Sequence, residues 1–379
     1  MSLLPEMNRR LLITVAAVVL PIGGFLGLLA AGCGESSGPV TYKVSYLGLT
    51  CEAPIFAAYE NGFFQEEGLN VDLAKTDWDN LRDGLGLGRF DATHHLIMFL
   101  LKPIENGLDI KLTGGIHSGC LRLQAGLKTD IRSVEDLRGK KIAISNMGNP
   151  PFFFASRVFA SHGIDTSKDV EWVVYPSETM ELALEQGNVE AVASAEPIGT
   201  ILLARNKVRN IADQAVDPPY RDEYCCVTVV SGRLARKDPA TAAKLTRALL
   251  KGAKWVDANQ TAAARMAVER GYTAASVEIN VQAISKLKYF PGVAQAKRNI
   301  QQAAVALQEC GFLQPSTDPH ELTTRAWLDL DGVTDEWIQS VPVEKIAGGG
   351  RPPILTDAGF AALVTSFKDW CRLPLCYCD

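Results

Sequence analysis

The hydrophobic and polar positions from residue 40 onward follow two alternating periods, one typical of strands and one typical of helices. Residues 42–47 alternate with a period of two and predict a strand, and residues 55–60 have helical spacing up to the turn at Asn61-Gly62. Residues 69–73 and 90–92 predict two further strands, separated by a helix that ends before Gly88. Strands that alternate with helices favour a parallel sheet with right-handed crossovers.

The same order of strand, helix and glycine turn recurs in residues 141–194. Gly68-Leu69-Asn70 corresponds to Gly163-Ile164-Asp165, and Gly88-Arg89-Phe90-Asp91-Ala92 corresponds to Gly187-Asn188-Val189-Glu190-Ala191, at a nearly constant offset. Two matches in the same order predict a pair of α/β lobes of similar topology. Because ligands of open parallel sheets bind at the carboxyl ends of the strands, the predicted ligand site is a cleft between the lobes.

The pattern becomes helical after Asp238-Pro239. Residues 240–258, 260–270, 274–286 and 293–310 have helical spacing, with no further strand pattern between them. We therefore expect a helical C-terminal region that wraps one lobe, rather than a third domain. The end of the chain, residues 371–378, carries a separate cluster of cysteines.

The first 32 residues predict an export signal. Asn8-Arg9-Arg10 precedes an uncharged apolar run, residues 11–31, and small residues stand directly before Cys33. This ending resembles a lipoprotein cleavage site, after which Cys33 would carry a lipid that anchors the chain to a membrane. Two other interpretations stay open: a transmembrane anchor, since about 20 apolar residues span a bilayer, and a twin-arginine export signal. The predicted location is periplasmic, or lipid-anchored at the outer face of the cell membrane.

Composition adds three points to this picture. The residues are 47% hydrophobic and 21% charged, with a formal net charge of −5, which is typical of a soluble globular protein. The length of 379 residues favours two domains. The sequence has no basic stripe with interleaved aromatic residues, which argues against a nucleic-acid partner. It does have nine cysteines, and outside the cytoplasm disulfide pairing is the first interpretation for each of them.

A histidine and a cysteine lie three positions apart in the loop that follows the alternating run at residues 108–112. Gly114-Gly115 predicts a tight turn that other backbone can approach closely, and His117 and Cys120 follow it. We interpret this loop as the floor of a pocket. The alternative is an ordinary turn with a buried cysteine and a hydrogen-bonded histidine.

The order of several short motifs resembles the solute-binding proteins of nitrate/sulfonate/taurine-type ABC importers. The motifs are Ala53-Pro54-Ile55-Phe56-Ala57-Ala58, Gly62-Phe63-Phe64-Gln65-Glu66-Glu67-Gly68-Leu69-Asn70-Val71, Asp136-Leu137-Arg138-Gly139-Lys140-Lys141-Ile142-Ala143, Gly187-Asn188-Val189-Glu190-Ala191 and Glu196-Pro197. The resemblance covers residues 41–340. It implies an α/β, two-lobed periplasmic binding protein (type II) fold with parallel sheets and a ligand cleft, and it implies ABC permease and ATPase subunits as partners. We expect lobe I in residues 40–128, lobe II in residues 129–227, and the rest of lobe I, with the helical region and cysteine-rich tail, in residues 228–379.

The same superfamily includes proteins related to thiamine-pyrimidine synthesis, some of which make the pyrimidine. Those synthases carry several cysteines before the segment that returns to the first lobe, and Tyr224-Cys225-Cys226-Val227 is similar in position. The resemblance therefore implies an alternative, a pyrimidine-synthase-like enzyme that uses a cleft histidine and cysteine-bound iron. A metal sensor or chaperone of the same fold is a third alternative. No Ser-His-Asp order, Gly-rich nucleotide loop or carboxylate pair indicates an enzyme, so we predict a binding protein without a certain cofactor.

The loops expected at the strand ends carry thiols and imidazoles. The predicted ligand-binding residues are Cys51, Glu52, Thr93, His94, His117, Ser118, Cys120, Asn146, Phe152, Glu196, Cys225 and Cys226. A hard anion such as nitrate or sulfonate would need Arg, Lys, hydroxyls and helix N-terminal amides. Thiolate and imidazole instead suit Zn(II), Cu(I) or iron. The predicted ligand is therefore a soft metal ion, a metal-containing small molecule or a thiol-reactive compound, with Cys51, His117, Cys120, Cys225 and Cys226 as metal ligands.

Some of these residues also have a purely structural interpretation. Cys51 is a candidate for a disulfide with Cys120 or with Cys225, and Cys225-Cys226 also fits small apolar positions in a strand. His94-His95 points to opposite faces if extended, so at most one of the two is expected to reach the cleft. Glu196 either accepts from a ligand or is a paired acid in the core.

Overall fold

The computed structural model of the protein describes residues 40–346. The predicted export signal at residues 1–32, the predicted lipid-bearing Cys33 and the cysteine cluster at residues 371–378 lie outside the described residues, so those predictions stay predictions. Within the described range, no helix is both long enough and apolar enough to cross a membrane.

The described residues form two sheets, each at the centre of one lobe. The first sheet has the order β11-β4-β10-β3-β1-β2 and contains β1 (Thr41–Tyr46), β2 (Asn70–Lys75), β3 (Ala92–Leu96), β4 (Ile110–Ser118), β10 (Cys226–Ser231) and β11 (Lys288–Gly292). The second has the order β7-β6-β8-β5-β9 and contains β5 (Leu121–Gly126), β6 (Lys141–Ile144), β7 (Glu171–Val174), β8 (Ala191–Ala195) and β9 (Val208–Asp213).

Helices flank both sheets. In chain order they are α1 (Ala53–Glu60), α2 (Phe63–Glu66), α3 (Trp78–Gly86), α4 (Ile97–Glu105), α5 (Pro150–Ser161), α6 (Met180–Glu185), α7 (Ile198–Ala204), α8 (Gly232–Lys237), α9 (Pro239–Ala258), α10 (Gln260–Glu269), α11 (Val277–Ile284), α12 (Ala294–Glu309), α13 (Pro319–Ala326) and α14 (Asp335–Ser340). The long helix α9 packs against α1, β4 and β11. The helical C-terminal region therefore covers the first lobe, as predicted.

Strand direction separates the repeated strands from the crossing strands. β1 pairs in parallel with β2 and β3, and β6 pairs in parallel with β7 and β8, as the alternation of strands and helices predicts. The strands next to the lobe crossings run the other way: β5 is antiparallel to β8 and β9, and β10 is antiparallel to β3 and β4. Each sheet is therefore a parallel core with antiparallel strands inserted where the chain changes lobe.

The chain enters the second lobe earlier than the sequence predicts. β5 already belongs to the second sheet, so the first crossing lies at Gly119 and Cys120 rather than after residue 128. The apolar pattern of β4 continues into β5, and no local change of composition marks the crossing. The tight turn predicted at Gly114-Gly115 is wrong: both glycines lie inside β4 and pair with β10, and a Cβ on Gly115 would lie 2.5 Å from the Tyr224 ring. Gly119 has a φ of +74°, and a Cβ there would lie 2.7 Å from Cα of Ala215, so this tight crossing requires glycine. The chain returns between β9 and β10, which begins at Cys226, close to the predicted boundary at residue 227.

β11 is a strand that the sequence pattern does not predict. It lies at the edge of the first sheet, antiparallel to β4, with Tyr289 opposite His117. The segment contains Pro291 and Gly292. Both residue types are depleted in strands, so a local sequence pattern predicts a turn here. Its pairing partner is far away in sequence, and only the tertiary structure supplies it.

Packing of α9 against α1 fixes the start of α1. A Cβ on Gly252 of α9 would lie 2.3 Å from the carbonyl oxygen of Pro54, so the two helices approach at backbone distance. Phe56 in α1 is fully buried and stacks on Tyr272 with ring centroids 4.4 Å apart. The turn that precedes α1 is therefore held firmly against the core of the first lobe.

Candidate functional site

The turn between β1 and α1 places Cys51 at the carboxyl end of the first sheet. The Glu52 carboxylate accepts backbone N–H groups from Leu47, Gly48 and Leu49, which closes this turn. Cys51 lies in the short 3-10 turn Thr50–Glu52 directly before α1. Burial raises the pKa of Glu52 to about 8, against the effect of its three N–H donors. Its carboxylate oxygens are occupied by the turn in this structure, rather than directed at a ligand.

Four buried side chains from different elements bring their donor atoms together beside this turn. They are Cys51, His94 in β3, His117 in β4 and Cys226 in β10, and one donor atom of each lies within 4.8 Å of the others. The Nε2 atoms of His94 and His117 are 3.1 Å apart. We call these four residues the Cys2His2 cluster.

The strand register explains why three members of the Cys2His2 cluster share one face of the first sheet. β10 lies between β3 and β4, where Cys226 is opposite His117 and Thr228 is opposite His94. Cys226 and Thr228 are two residues apart in one strand, so their side chains point to the same face. His95 points away and packs against the rings of Trp78 and Phe99. The prediction that the two adjacent histidines face opposite sides is confirmed.

Burial and neighbouring thiols shift the pKa values of two members of the Cys2His2 cluster, His94 and Cys51. Burial, with smaller contributions from His117 and His95, holds the pKa of His94 well below its usual value, so the imidazole is neutral and keeps a lone pair for a metal ion. The pKa of Cys51 is raised to about 11, first by its hydrogen bond with Cys120 and further by burial. This thiol keeps its proton at neutral pH unless a cation replaces it.

Three thiols form a second group that shares Cys226 with the first. The Sγ atoms of Cys120 and Cys225 are 3.3 Å apart, those of Cys225 and Cys226 are 3.8 Å apart, and all three lie within 4.8 Å of one another. We call these three residues the thiol triad. A disulfide has an S–S distance of about 2.05 Å, and Cys51, Cys120, Cys225 and Cys226 are all free thiols here. The alternative disulfides from Cys51 are therefore not formed in this structure.

Some predicted ligand-binding residues instead support the fold. The hydroxyl of Thr93 donates to the carbonyl of Ser45 at 2.6 Å and so joins β3 to β1. Phe152 is buried at the start of α5 and packs against Trp172 and Phe312. Asn146 is exposed in the loop before α5.

The hydroxyl of Ser118 differs from these predicted residues. It is buried at the end of β4, directly after His117, and has no hydrogen-bond partner among residues 40–346. Buried hydroxyls normally have a partner. Ser118 is the neighbour of His117 in β4, and successive side chains in a strand point to opposite faces, so this unpaired hydroxyl is not placed at the Cys2His2 cluster.

Glu196 belongs to a buried ion group in the second lobe. Its Oε1 accepts from Arg122 at 2.7 Å and from the Thr200 hydroxyl at 3.0 Å, and Arg122 also donates to Asp213 at 2.9 Å. Burial raises the pKa of Glu196, although the guanidinium opposes this. Of the two interpretations of Glu196, this geometry matches the paired acid in the core.

The structure changes the membership of the predicted metal site. His94 was predicted to bind ligand but was not among the predicted metal ligands, and it lies in the Cys2His2 cluster. Cys120 and Cys225 lie in the thiol triad instead. The adjacent histidines were a signal in the sequence, but choosing His94 over His95 needs the position of β3 beside β10, which no local pattern supplies.

A model of the NMT1-like family matches residues 35–271. The chain belongs to the NMT1-like family. The match covers all of β1 to β10 and includes every residue of the Cys2His2 cluster and the thiol triad.

Individual relatives of this NMT1-like protein are distant. Protein YtlA of Bacillus subtilis (strain 168) is 24% identical over 243 residues, which cover 58% of this chain and 64% of YtlA, less than two thirds of that relative's length. The nitrate-binding protein NrtA of Synechocystis PCC 6803 gives a TM-score of 0.65 at 19% identity, covering 76% of this chain and 86% of NrtA. The alkanesulfonate-binding protein SsuA of Xanthomonas axonopodis pv. citri, bound to MOPS, gives 0.64 at 15% identity, covering 77% of this chain and 99% of SsuA. These structures confirm the predicted periplasmic binding protein fold.

Proposed function

We propose that this NMT1-like protein is the extracytoplasmic solute-binding component of an ABC importer, and that its ligand is a thiophilic metal ion or a small molecule that carries one. The observation behind the ligand class is the Cys2His2 cluster, in which Cys51, His94, His117 and Cys226 converge. The support for the transport role is the family and a fold shared with nitrate-binding and sulfonate-binding proteins.

The dimensions of the Cys2His2 cluster suit a tetrahedral ion. A zinc ion with Zn–N bonds of about 2.0–2.1 Å separates two nitrogen ligands by about 3.3 Å, and the Nε2 atoms of His94 and His117 are 3.1 Å apart. Two thiolates would neutralise one divalent ion, and an imidazole binds a metal ion in its uncharged form. A buried site of this kind has no net charge, which avoids the cost of burying an unpaired ion.

The buried charges do not favour a hard anion. Arg122 is the one Lys or Arg among residues 40–346 that is buried, and it is bound to Glu196 and Asp213. Nitrate and sulfonate bind to unpaired cationic or N–H donors, and Arg122 has its charge matched already. The ligand class is therefore expected to differ from those of the nitrate-binding and sulfonate-binding proteins that share the fold.

Lobe movement is the expected way in and out of this site. Thr50, which precedes Cys51, donates to Asn280 in α11 at 2.6 Å, and α11 touches α7 of the second lobe. Separation of α7 from α11 would open the space above Cys51. Because all four donors of the Cys2His2 cluster belong to the first lobe, closure would be favoured only by a ligand that also makes contacts with the second lobe. Export through the N-terminal signal, a lipid on Cys33, and permease and ATPase partners belong to the same proposal.

The test is metal content and affinity in protein purified reduced and without chelator. We expect elemental analysis to find about one bound ion or more per chain. Cys226→Ser should weaken zinc binding by more than the roughly 10–100-fold that loss of an outer-shell partner costs. Cys310→Ser is the matched control, because Cys310 is a half-buried free thiol outside both groups. Full-length protein that binds no zinc, cadmium or Cu(I) would refute the ligand class.

Acidification gives a second readout of the same site. Binding releases the protons of Cys51 and Cys226, so affinity should fall as pH falls, by up to about 100-fold per pH unit for two protons. A flat profile between about pH 8 and pH 6 would contradict coordination by thiolates.

Two alternatives use the same residues and are separated by different experiments. Cys225-Cys226 beside His117 is also the arrangement expected of the pyrimidine-synthase-like alternative. Formation of a pyrimidine after incubation with iron, pyridoxal phosphate and oxygen would favour that enzyme. A sensor or metal chaperone would bind metal equally well but would have no neighbouring permease and ATPase genes.

A further inference from the structure

The thiol triad is a separate set of donors that the Cys2His2 cluster does not use in full. Cys120 and Cys225 are both buried, and their sulfurs lie 3.3 Å apart. A single tetrahedral ion at the Cys2His2 cluster already has four protein ligands, and so it has no position for either of these thiols. They are therefore surplus to the site that carries the proposed function.

The two surplus thiols lie on the two segments that join the lobes. Cys120 is in the first crossing, between β4 and β5, and Cys225 is at the end of the second crossing, directly before β10. The crossings meet here, because the backbone N–H of Cys225 donates to the carbonyl of His117 at 2.9 Å. Cys120 also has a φ of 145°, a rare conformation for a residue with a side chain. The fold thus brings together two sulfurs that are 105 positions apart in the chain.

Cys226 connects the two groups. It is a member of both sets of donor atoms, and its sulfur lies 3.8 Å from that of Cys225. A thiolate has several lone pairs and is able to bridge two metal ions. With Cys226 as a bridge, a contiguous group of six buried side chains would supply four donors to one ion and three donors to the other.

Charge balance permits two divalent ions as well as one. Four thiolates, from Cys51, Cys120, Cys225 and Cys226, carry four negative charges, which two divalent ions neutralise. With one ion, the group has no net charge when Cys120 and Cys225 both carry their protons. Neither state buries a net charge, so binding of the second ion does not carry the free-energy cost of an uncompensated buried charge.

We propose that the thiol triad holds a second divalent, thiophilic ion at the meeting point of the two lobe crossings, with Cys226 bridging it to the ion of the Cys2His2 cluster. This inference rests on the proposed function. The second ion displaces one proton each from Cys120 and Cys225. Three protein ligands leave one position of a tetrahedral ion free for an external donor, such as water or a thiolate-bearing solute. The free position makes this ion, rather than the four-coordinate one, the place where a metal-binding small molecule would attach.

The experiment counts cadmium ions bound by the reduced, full-length chain under anaerobic conditions. Because cysteines outside residues 40–346 also bind cadmium, every protein carries the background substitutions Cys33→Ser, Cys371→Ser, Cys376→Ser and Cys378→Ser. We expect two ions per chain, two 113Cd resonances, and a thiolate-to-cadmium absorbance that keeps rising until the second equivalent is added.

Variants assign the two ions. Cys120→Ser and Cys225→Ser are each expected to lower the count from two to one, whereas Cys310→Ser is expected to leave two. The background chain alone supplies a test that does not depend on folding of the variants: with cadmium bound, iodoacetamide should alkylate Cys120 and Cys225 more slowly than it does in the metal-free chain.

The outcomes separate this inference from the proposed function. One ion and one resonance, with Cys120 and Cys225 alkylated as fast in the loaded protein as in the metal-free chain, overturns the second site and leaves the Cys2His2 site intact. No bound ion overturns both. A count of two that Cys120→Ser and Cys225→Ser fail to lower, in variants that unfold like the parent, also overturns the inference.

Discussion

Replacement of Arg122 tests whether the buried acids of the second lobe hold the fold or bind a ligand. Arg122 donates to Glu196 at 2.7 Å and to Asp213 at 2.9 Å, and all three side chains are nearly inaccessible to solvent. Arg122→Met keeps most of the volume of the side chain and removes its charge. The change leaves two buried carboxylates without a cation.

The expected loss in the free energy of unfolding follows from this count of buried charges. Removing one partner of a buried ion pair costs about 3–5 kcal/mol, because the remaining charge is uncompensated. Here two carboxylates lose one shared guanidinium, so we expect a loss in the upper half of that range at about pH 8. Glu196→Gln should cost less, about 1 kcal/mol, since it leaves Arg122 paired with Asp213 and still offers Thr200 an acceptor.

The pH dependence has a definite sign. Without Arg122, burial raises the pKa of Glu196 further above its unfolded value. A carboxyl with a raised folded pKa favours the folded state below its unfolded pKa, and that advantage is lost as pH rises through the folded pKa. The cost of Arg122→Met relative to the parent should therefore shrink when pH falls from about 8 to about 5.

Guanidinium chloride unfolding, followed by tryptophan fluorescence at both pH values, is the assay. Arg205→Met is the matched control, because Arg205 pairs with Glu181 at the surface of the same lobe and exposed pairs contribute about 0–1 kcal/mol. Glu196→Gln should also bind zinc like the parent. If Arg122→Met costs no more than Arg205→Met, or if its cost is the same at both pH values, the reasoning about the buried ion group is wrong.

Two further predictions concern the first lobe. Burial lowers the pKa of His95 to about 3, so its contribution to stability is present above the unfolded pKa near 6.5 and is lost as pH falls towards 3. The parent loses stability between pH 7 and pH 5, and His95→Phe should remove about 2 kcal/mol of that loss. The measurement is the free energy of unfolding in urea at both pH values, and the same loss in the variant and the parent would contradict this. Gly252→Ala places a Cβ 2.3 Å from the carbonyl oxygen of Pro54, and we expect a loss of about 1–3 kcal/mol. The same variant should bind zinc more weakly, because a shift of α1 also moves the turn before it, which contains Cys51. If the variant is as thermally stable as the parent, the α1–α9 contact is not tight.

Local sequence patterns were sufficient for the plan of the fold. Alternation of strand and helix periods, repeated around matching glycine turns, predicts two α/β lobes because each period reflects the face that an element buries. Helical spacing after Pro239 likewise predicts the helical C-terminal region that packs on the first lobe. The concentration of thiols and imidazoles at strand ends predicts the chemistry of the site, because residue type alone decides which ions a side chain prefers.

Pairing between distant strands decided the rest. β5 and β11 differ from their predicted roles because each pairs with strands that are remote in sequence. The choice of His94 over His95, and the division of the cysteines between the Cys2His2 cluster and the thiol triad, depend on how β10 lies beside β3 and β4. A shift of one residue in a strand exchanges its two faces. The sequence determined which potential metal-binding side chains this protein has, and the strand register determined which of them lie close together.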